Sequence, residues 1–127
     1  MKVIKITYWI TTSIVALMMT YSAYTYLTAP TMTQAFQHLG YPGYFRVELA
    51  MAKLAGAVLL LIPLKSLIKE WVYAGFTFTF ISAFIAHSAS GDPVTYRVMP
   101  LIFLVFLAAS YITYYKVKQA TTKSPAL

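Results

Sequence analysis

"YFRVELAMAKLAGAVLLLIP", Tyr44 to Pro63, is long and apolar enough to cross a bilayer, yet its first half holds Arg46, Glu48 and Lys53. Whether it is read as a membrane helix decides the fold, because the segments around it are unambiguous. A crossing helix needs about 20 mostly apolar residues, since the hydrocarbon is about 30 Å thick and each residue rises about 1.5 Å. Four segments qualify: Ile6–Leu27, Tyr44–Ile62, Trp71–Ala89 and Val94–Tyr115. The chain reads as one all-α domain over residues 1–127, a polytopic membrane protein with four transmembrane helices in a bundle.

Composition points the same way. Of the 127 residues, 60% are hydrophobic and 10% charged, and the mean hydropathy is positive; a soluble domain has about a quarter charged residues. There is no cysteine, which removes disulfides, thiol nucleophiles, thiolate metal sites and iron–sulfur clusters. The net charge of +7 comes from dispersed Lys and Arg, with no recognition helix or stacking platform, so nucleic acid is not an expected partner. The first apolar run exceeds the ~7–15 residues of a signal-peptide core and lacks a small-residue cleavage site, so it is read as the first membrane helix.

The distribution of positive charge gives an orientation. Lys2 and Lys5 precede the first span, Lys65 and Lys69 lie between the second and third, and Lys116, Lys118 and Lys123 follow the fourth. All fall on one side of a four-span topology, opposite Arg46 and Arg97, which predicts that both termini are cytoplasmic. Tyr8, Trp9, Trp71, Tyr73, Tyr114 and Tyr115 then form an inner aromatic belt, and Tyr24, Tyr26, Tyr41, Tyr44 and Tyr96 an outer one, read as interfacial anchors.

The linkers carry their own signals. "TMTQAFQHL" predicts a short amphipathic helix on the outer surface with Met32, Ala35, Phe36 and Leu39 toward lipid or protein, and "GYPG" turns the chain into the second span. In "SGDP", Gly91 suits a left-handed helix end, Asp92 a cap of the next helix and Pro93 its first turn. "TTKSPAL" reads as a disordered tail.

On the second span Glu48 lies roughly 6 Å and Lys53 roughly 13 Å along the axis from Tyr44, which puts Lys53 near the bilayer midplane. At about 100° per residue the two differ by about 140°, with Leu49, Ala52, Gly56 and Leu60 between them, and the arc is expected to face the bundle interior. The outer half thus gathers Arg46, Glu48, His87, Asp92 and Arg97, with Lys53 beneath and His38 within reach from the first loop. Two readings stand. In one the groups are structural: Glu48 pairs with Arg46 or Lys53, and His87 caps its helix. In the other they form a ligand-binding or proton-handling site, because a mid-membrane lysine costs about 2.5–3.5 kcal/mol on insertion scales and needs a use. A Lys–Glu–His set suits an anionic or quinone-like head group whose tail lies along apolar walls. No catalytic constellation and no metal ligand set is evident.

"QHLGYPGYFRVELAMAKLAGAVLLLIP", "IKEWVYAGFTFTFISAFIAHSASGDP" and "MPLIFLVFLAASYITYYK", covering Gln37 to Lys116, resemble the DoxX-like small membrane proteins. The resemblance implies a four-helix membrane bundle. The family takes its name from a membrane subunit of a thiosulfate:quinone oxidoreductase, so the resemblance also implies association with a redox enzyme or binding of a quinone. With no cysteine, the chain brings no redox centre of its own. Three functions are therefore expected candidates: an accessory or small-ligand-binding subunit, a quinone-linked or lipid-modifying oxidoreductase subunit, and a small transporter that oligomerises. The compact form and the lack of eukaryotic targeting features suggest a bacterial inner membrane, with membrane lipid, a redox enzyme or a second copy as partners.

Overall fold

The computed structural model describes residues 2–123, and within them the chain is helical with no strands. Five helices follow one another: α1 Lys2–Thr28, α2 Pro30–His38, α3 Gly43–Leu61, α4 Ser66–Ala89 and α5 Val94–Lys123. Three contain stretches long and apolar enough to cross a membrane: Lys2–Thr28, Ser66–Ala89 and Val94–Ala120. α3 is 19 residues long, and its length suits a crossing, but Arg46, Glu48 and Lys53 set it apart from the other three.

Each segment expected to span is helical, and three of the four helices are longer than expected. α4 begins at Ser66 rather than Trp71, so much of "PLKSLIKE" is its first turns. α5 continues to Lys123 rather than ending at Tyr115, so the expected tail is helical in its first part, and residues 124–127 lie outside the described residues. Both extensions are polar or mixed. Nothing in them breaks a helix, and a span estimated from apolar length alone stops short there. The linker helix α2 is present, with Phe36 as its buried residue and Met32, Ala35 and Leu39 half-buried.

α1 packs against both α3 and α5, α4 packs against α5, and α4 approaches α3 more loosely. The buried residues of α1 run Tyr8, Thr11, Thr12, Val15, Ala16, Met19, Ala23, a three-and-four spacing that makes one continuous stripe. The core joins Val15, Ala16 and Met19 to Ala57 and Leu60 of α3, Val72, Phe76 and Phe80 of α4, and Leu107 of α5. Outward-facing residues are just as apolar: Leu17, Trp71, Phe78 and Val105 are each 69–70% exposed. Such a surface suits lipid as its surroundings.

Helix ends are closed by cations from the next long helix. The guanidinium of Arg46, in the first turn of α3, donates to the Tyr26 carbonyl near the end of α1. Lys69, 3% exposed, donates to the carbonyls of Leu59 (3.0 Å) and Leu60 (2.6 Å) at the end of α3. The last four carbonyls of a helix lack intrahelical partners, and a cation there also meets the negative end of the helix dipole. α2 and α4 instead end in Schellman turns. Gly40 (φ +85°) and Gly91 (φ +73°) take the left-handed position, and the next residues, Tyr41 and Asp92, donate back to Phe36 and His87.

Candidate functional site

The Schellman turn of α4 builds the first part of the site. Because the Asp92 N–H bonds the His87 carbonyl at 3.0 Å, the Asp92 side chain is folded back over the last turn of α4. Its Oδ2 lies 2.5 Å from His87 Nδ1, and its Oδ1 lies 2.8 Å from His38 Nε2 at the end of α2. One carboxylate thus ties two imidazoles from separate helices. The bond to His87, then the one to His38, holds the Asp92 carboxyl below the usual carboxylate range. Arg97 fixes the turn from the other side, donating through Nε to the Asp92 carbonyl at 2.7 Å.

The second part comes from α3, whose buried residues are Ala50, Lys53, Gly56, Ala57 and Leu60. Lys53 is 6% exposed. Its Nζ donates to Ser22 Oγ of α1 at 2.8 Å and lies 3.8 Å from the centroid of the Tyr26 ring. Ser22 and Tyr26 stand one helical turn apart on α1, which aims both at the same point. Among the described residues no carboxylate pairs with Lys53.

A cavity of about 190 Å³ joins the two parts, with Ser22, Tyr26, Lys53, His87 and Tyr96 in its wall and Phe80, Met99 and Phe103 closing it. The His87 and Tyr96 rings stack with centroids 6.0 Å apart. Lys53 also lines an apolar groove of about 350 Å³ where α3 and α4 diverge, walled by Ala52, Gly56, Trp71, Gly75 and Phe76. Gly56 makes room for Phe76 here: a Cβ on it would lie 2.5 Å from Phe76 Cζ. The amine therefore stands between a small chamber, which Ser22, Tyr26, His87 and Tyr96 also line, and an apolar groove.

The sequence-derived candidates divide. Lys53, His87 and Asp92 come together, with Arg97 behind the turn. Arg46 lies at the end of α1, bound to the backbone of Tyr26 rather than to Glu48, and its buried Nε has no partner among the described residues. Glu48 corrects the expectation of an inward arc. It is exposed and makes no hydrogen bond or ion pair among the described residues, and Ala52 is exposed as well. The reason is geometric: Ala50, Ala57 and Leu60 all lie within about 60° of Lys53 around the helix, so the side about 140° away faces out. Nor does Asp92 cap α5 as expected: α5 begins at Val94, so Pro93 holds the cap position, and the Asp92 carboxylate turns to the two histidines.

Ser22, Tyr26 and Tyr96 are the residues that sequence reasoning missed. The tyrosines read as interfacial anchors, and the available signal was the Ser22/Tyr26 spacing on one face of α1. Two further polar networks lie toward the opposite end. Thr12 and Ser110, each fully buried, share a 2.6 Å hydrogen bond that Tyr73 extends at 2.8 Å. Glu70 accepts from Tyr111 at 3.1 Å and Tyr115 at 2.5 Å. Among the described residues no group of His, Asp or Glu is arranged to hold a metal ion.

A family model described as the DoxX-like family matches residues 10–110. No curated protein and no solved structure matches the chain.

Proposed function

This chain belongs to the DoxX-like family, and from that premise and the geometry around Lys53 we propose that it is an accessory, small-ligand-binding subunit of a bacterial inner membrane. In this reading α1, α3, α4 and α5 all cross the bilayer as a four-helix bundle, both termini are cytoplasmic, and the polar chamber lies in the outer half. The ligand is an amphiphile of quinone type: an oxygen-bearing ring held by Lys53 in the chamber and an apolar tail along the α3–α4 groove. Glu48 faces away from that chamber, so its contribution is to the lipid or protein surface. Arg46 holds the outer end of α1 in place.

The observation that carries the reading is Lys53 itself. A lysine amine has three donors, and here one meets Ser22 while the ring of Tyr26 takes another. A cation buried among neutral partners is costly, and an acceptor oxygen entering the chamber offsets that cost. The His87–Asp92 pair in the same wall favours a second reading, in which the quinone is reduced there. A partner redox enzyme would supply the electrons, and His87 would relay protons to the ring oxygens.

Trp71 lines the groove and provides a probe. In a Trp9→Phe background, a short-chain quinone is expected to quench Trp71 fluorescence saturably, and Lys53→Met is expected to weaken that binding at least about tenfold, the loss of roughly one good hydrogen bond to a charged donor. Equal quenching in both proteins would remove Lys53 from the site.

A further inference from the structure

At the end of the molecule that carries the described N-terminal residues, a separate cavity of about 450 Å³ opens between α1, the α3–α4 linker and α5. Lys5, Lys69 and Lys118 line it, and Tyr8, Trp9 and Tyr114 complete the wall. Among the described residues no carboxylate lines it. Lys69 gives the cavity a fixed positive floor: the side chain is 3% exposed, and two of its three donors are held by the Leu59 and Leu60 carbonyls. Lys118 is anchored at the rim by Ser66 Oγ, and its Nζ lies 5.7 Å from the centroid of the Tyr115 ring. Lys5 is exposed on the opposite wall.

We propose that this cavity binds a phosphate-bearing anion, and that the anion is the head group of an acidic phospholipid. Three lysines from three elements face one concavity, which is the arrangement that recognises a phosphodiester between helices. The neighbouring wall, residues 61–64, is the apolar "LIPL" stretch, with Leu61 and Ile62 each 41% exposed. Trp9, 51% exposed, extends beside the lysines. An acyl chain has somewhere to lie next to the phosphate, which a free inorganic ion does not need. The site shares no lining residue with either cavity beside Lys53, and does not depend on what binds there.

The test is native mass spectrometry of the full chain released from nanodiscs of mixed phosphatidylglycerol and phosphatidylcholine. Lys5→Gln with Lys118→Gln is compared with wild type; Lys69 is left in place because it closes α3. At about 1 kcal/mol per lysine, wild type should retain phosphatidylglycerol over phosphatidylcholine roughly thirtyfold better than the double variant. Lys5→Arg with Lys118→Arg should restore the preference, which separates loss of charge from loss of folding. Retention that millimolar inorganic phosphate does not displace assigns a lipid. Displacement by phosphate assigns a free anion and overturns the lipid. Equal retention of both lipids by wild type, or no change in the glutamine variant, overturns the site altogether.

Discussion

Gly56 is the position where one added carbon has the clearest consequence. A Cβ there would stand 2.5 Å from Cζ and 2.8 Å from Cε1 of Phe76, whose ring is 5% exposed and stacks on Phe80 at 6.3 Å. The ring is buried and packed on Phe80 and must shift to admit the Cβ, so Gly56→Ala should destabilise the protein by about 1–3 kcal/mol. Gly75 faces open space in the same groove. Gly75→Ala should be neutral or stabilising by up to about 1 kcal/mol, through helix propensity. Thermal unfolding of the two variants side by side checks the pair. At this scale the sequence was only partly legible. Helical geometry separates Glu48 from Lys53 by about 140°, but the direction of the core along α3 depends on where α1 and α4 pack. The sequence alone leaves that direction open and allows both charges inside; only Lys53 is there.

For the elements, the least secured is α2, a nine-residue helix held through Phe36 and the His38–Asp92 hydrogen bond. The lowered Asp92 pKa gives that tie a pH dependence whose sign can be worked out. A carboxyl held below its unfolded value of about 3.9 favours the docked state above roughly pH 4. The contribution is lost as pH falls through the lowered folded value. Hydrogen-exchange protection of residues 30–38, relative to α3, should therefore fall below about pH 4. Asp92→Ala should show the same reduced protection at pH 7. Unchanged protection in that variant would mean that Phe36 alone docks α2. The helix itself was legible from the amphipathic spacing of "TMTQAFQHL". Its tie was less so, because His38 and Asp92 stand 54 positions apart and meet only when two glycine turns bring the ends of α2 and α4 together. The Ser22–Tyr26 pair was hidden differently: a tyrosine near a helix end has the same sequence signature whether it faces lipid or lysine.

At the level of the whole molecule, the helix order and the family follow from hydropathy and from the segments between Gln37 and Lys116. The crossing of α3 is the part that its three ionisable groups leave to experiment. With no natural cysteine, single-cysteine labelling is straightforward. Gln37→Cys and Lys65→Cys lie on either side of α3, and both positions are exposed. In intact cells an impermeant maleimide should label Gln37→Cys and reach Lys65→Cys only after permeabilisation. Labelling of both from outside would contradict the proposed topology.

The most direct test of the Lys53 site is to purify wild type and Lys53→Met in gentle detergent and weigh each by native mass spectrometry. The proposed function predicts an apolar, non-phospholipid adduct on wild type that is absent from a folded Lys53→Met protein, whose stability is unchanged or raised by removal of the buried amine. Bare protein in both, or the same adduct on both, would contradict it and leave Lys53 a structural bridge from α3 to Ser22 and Tyr26.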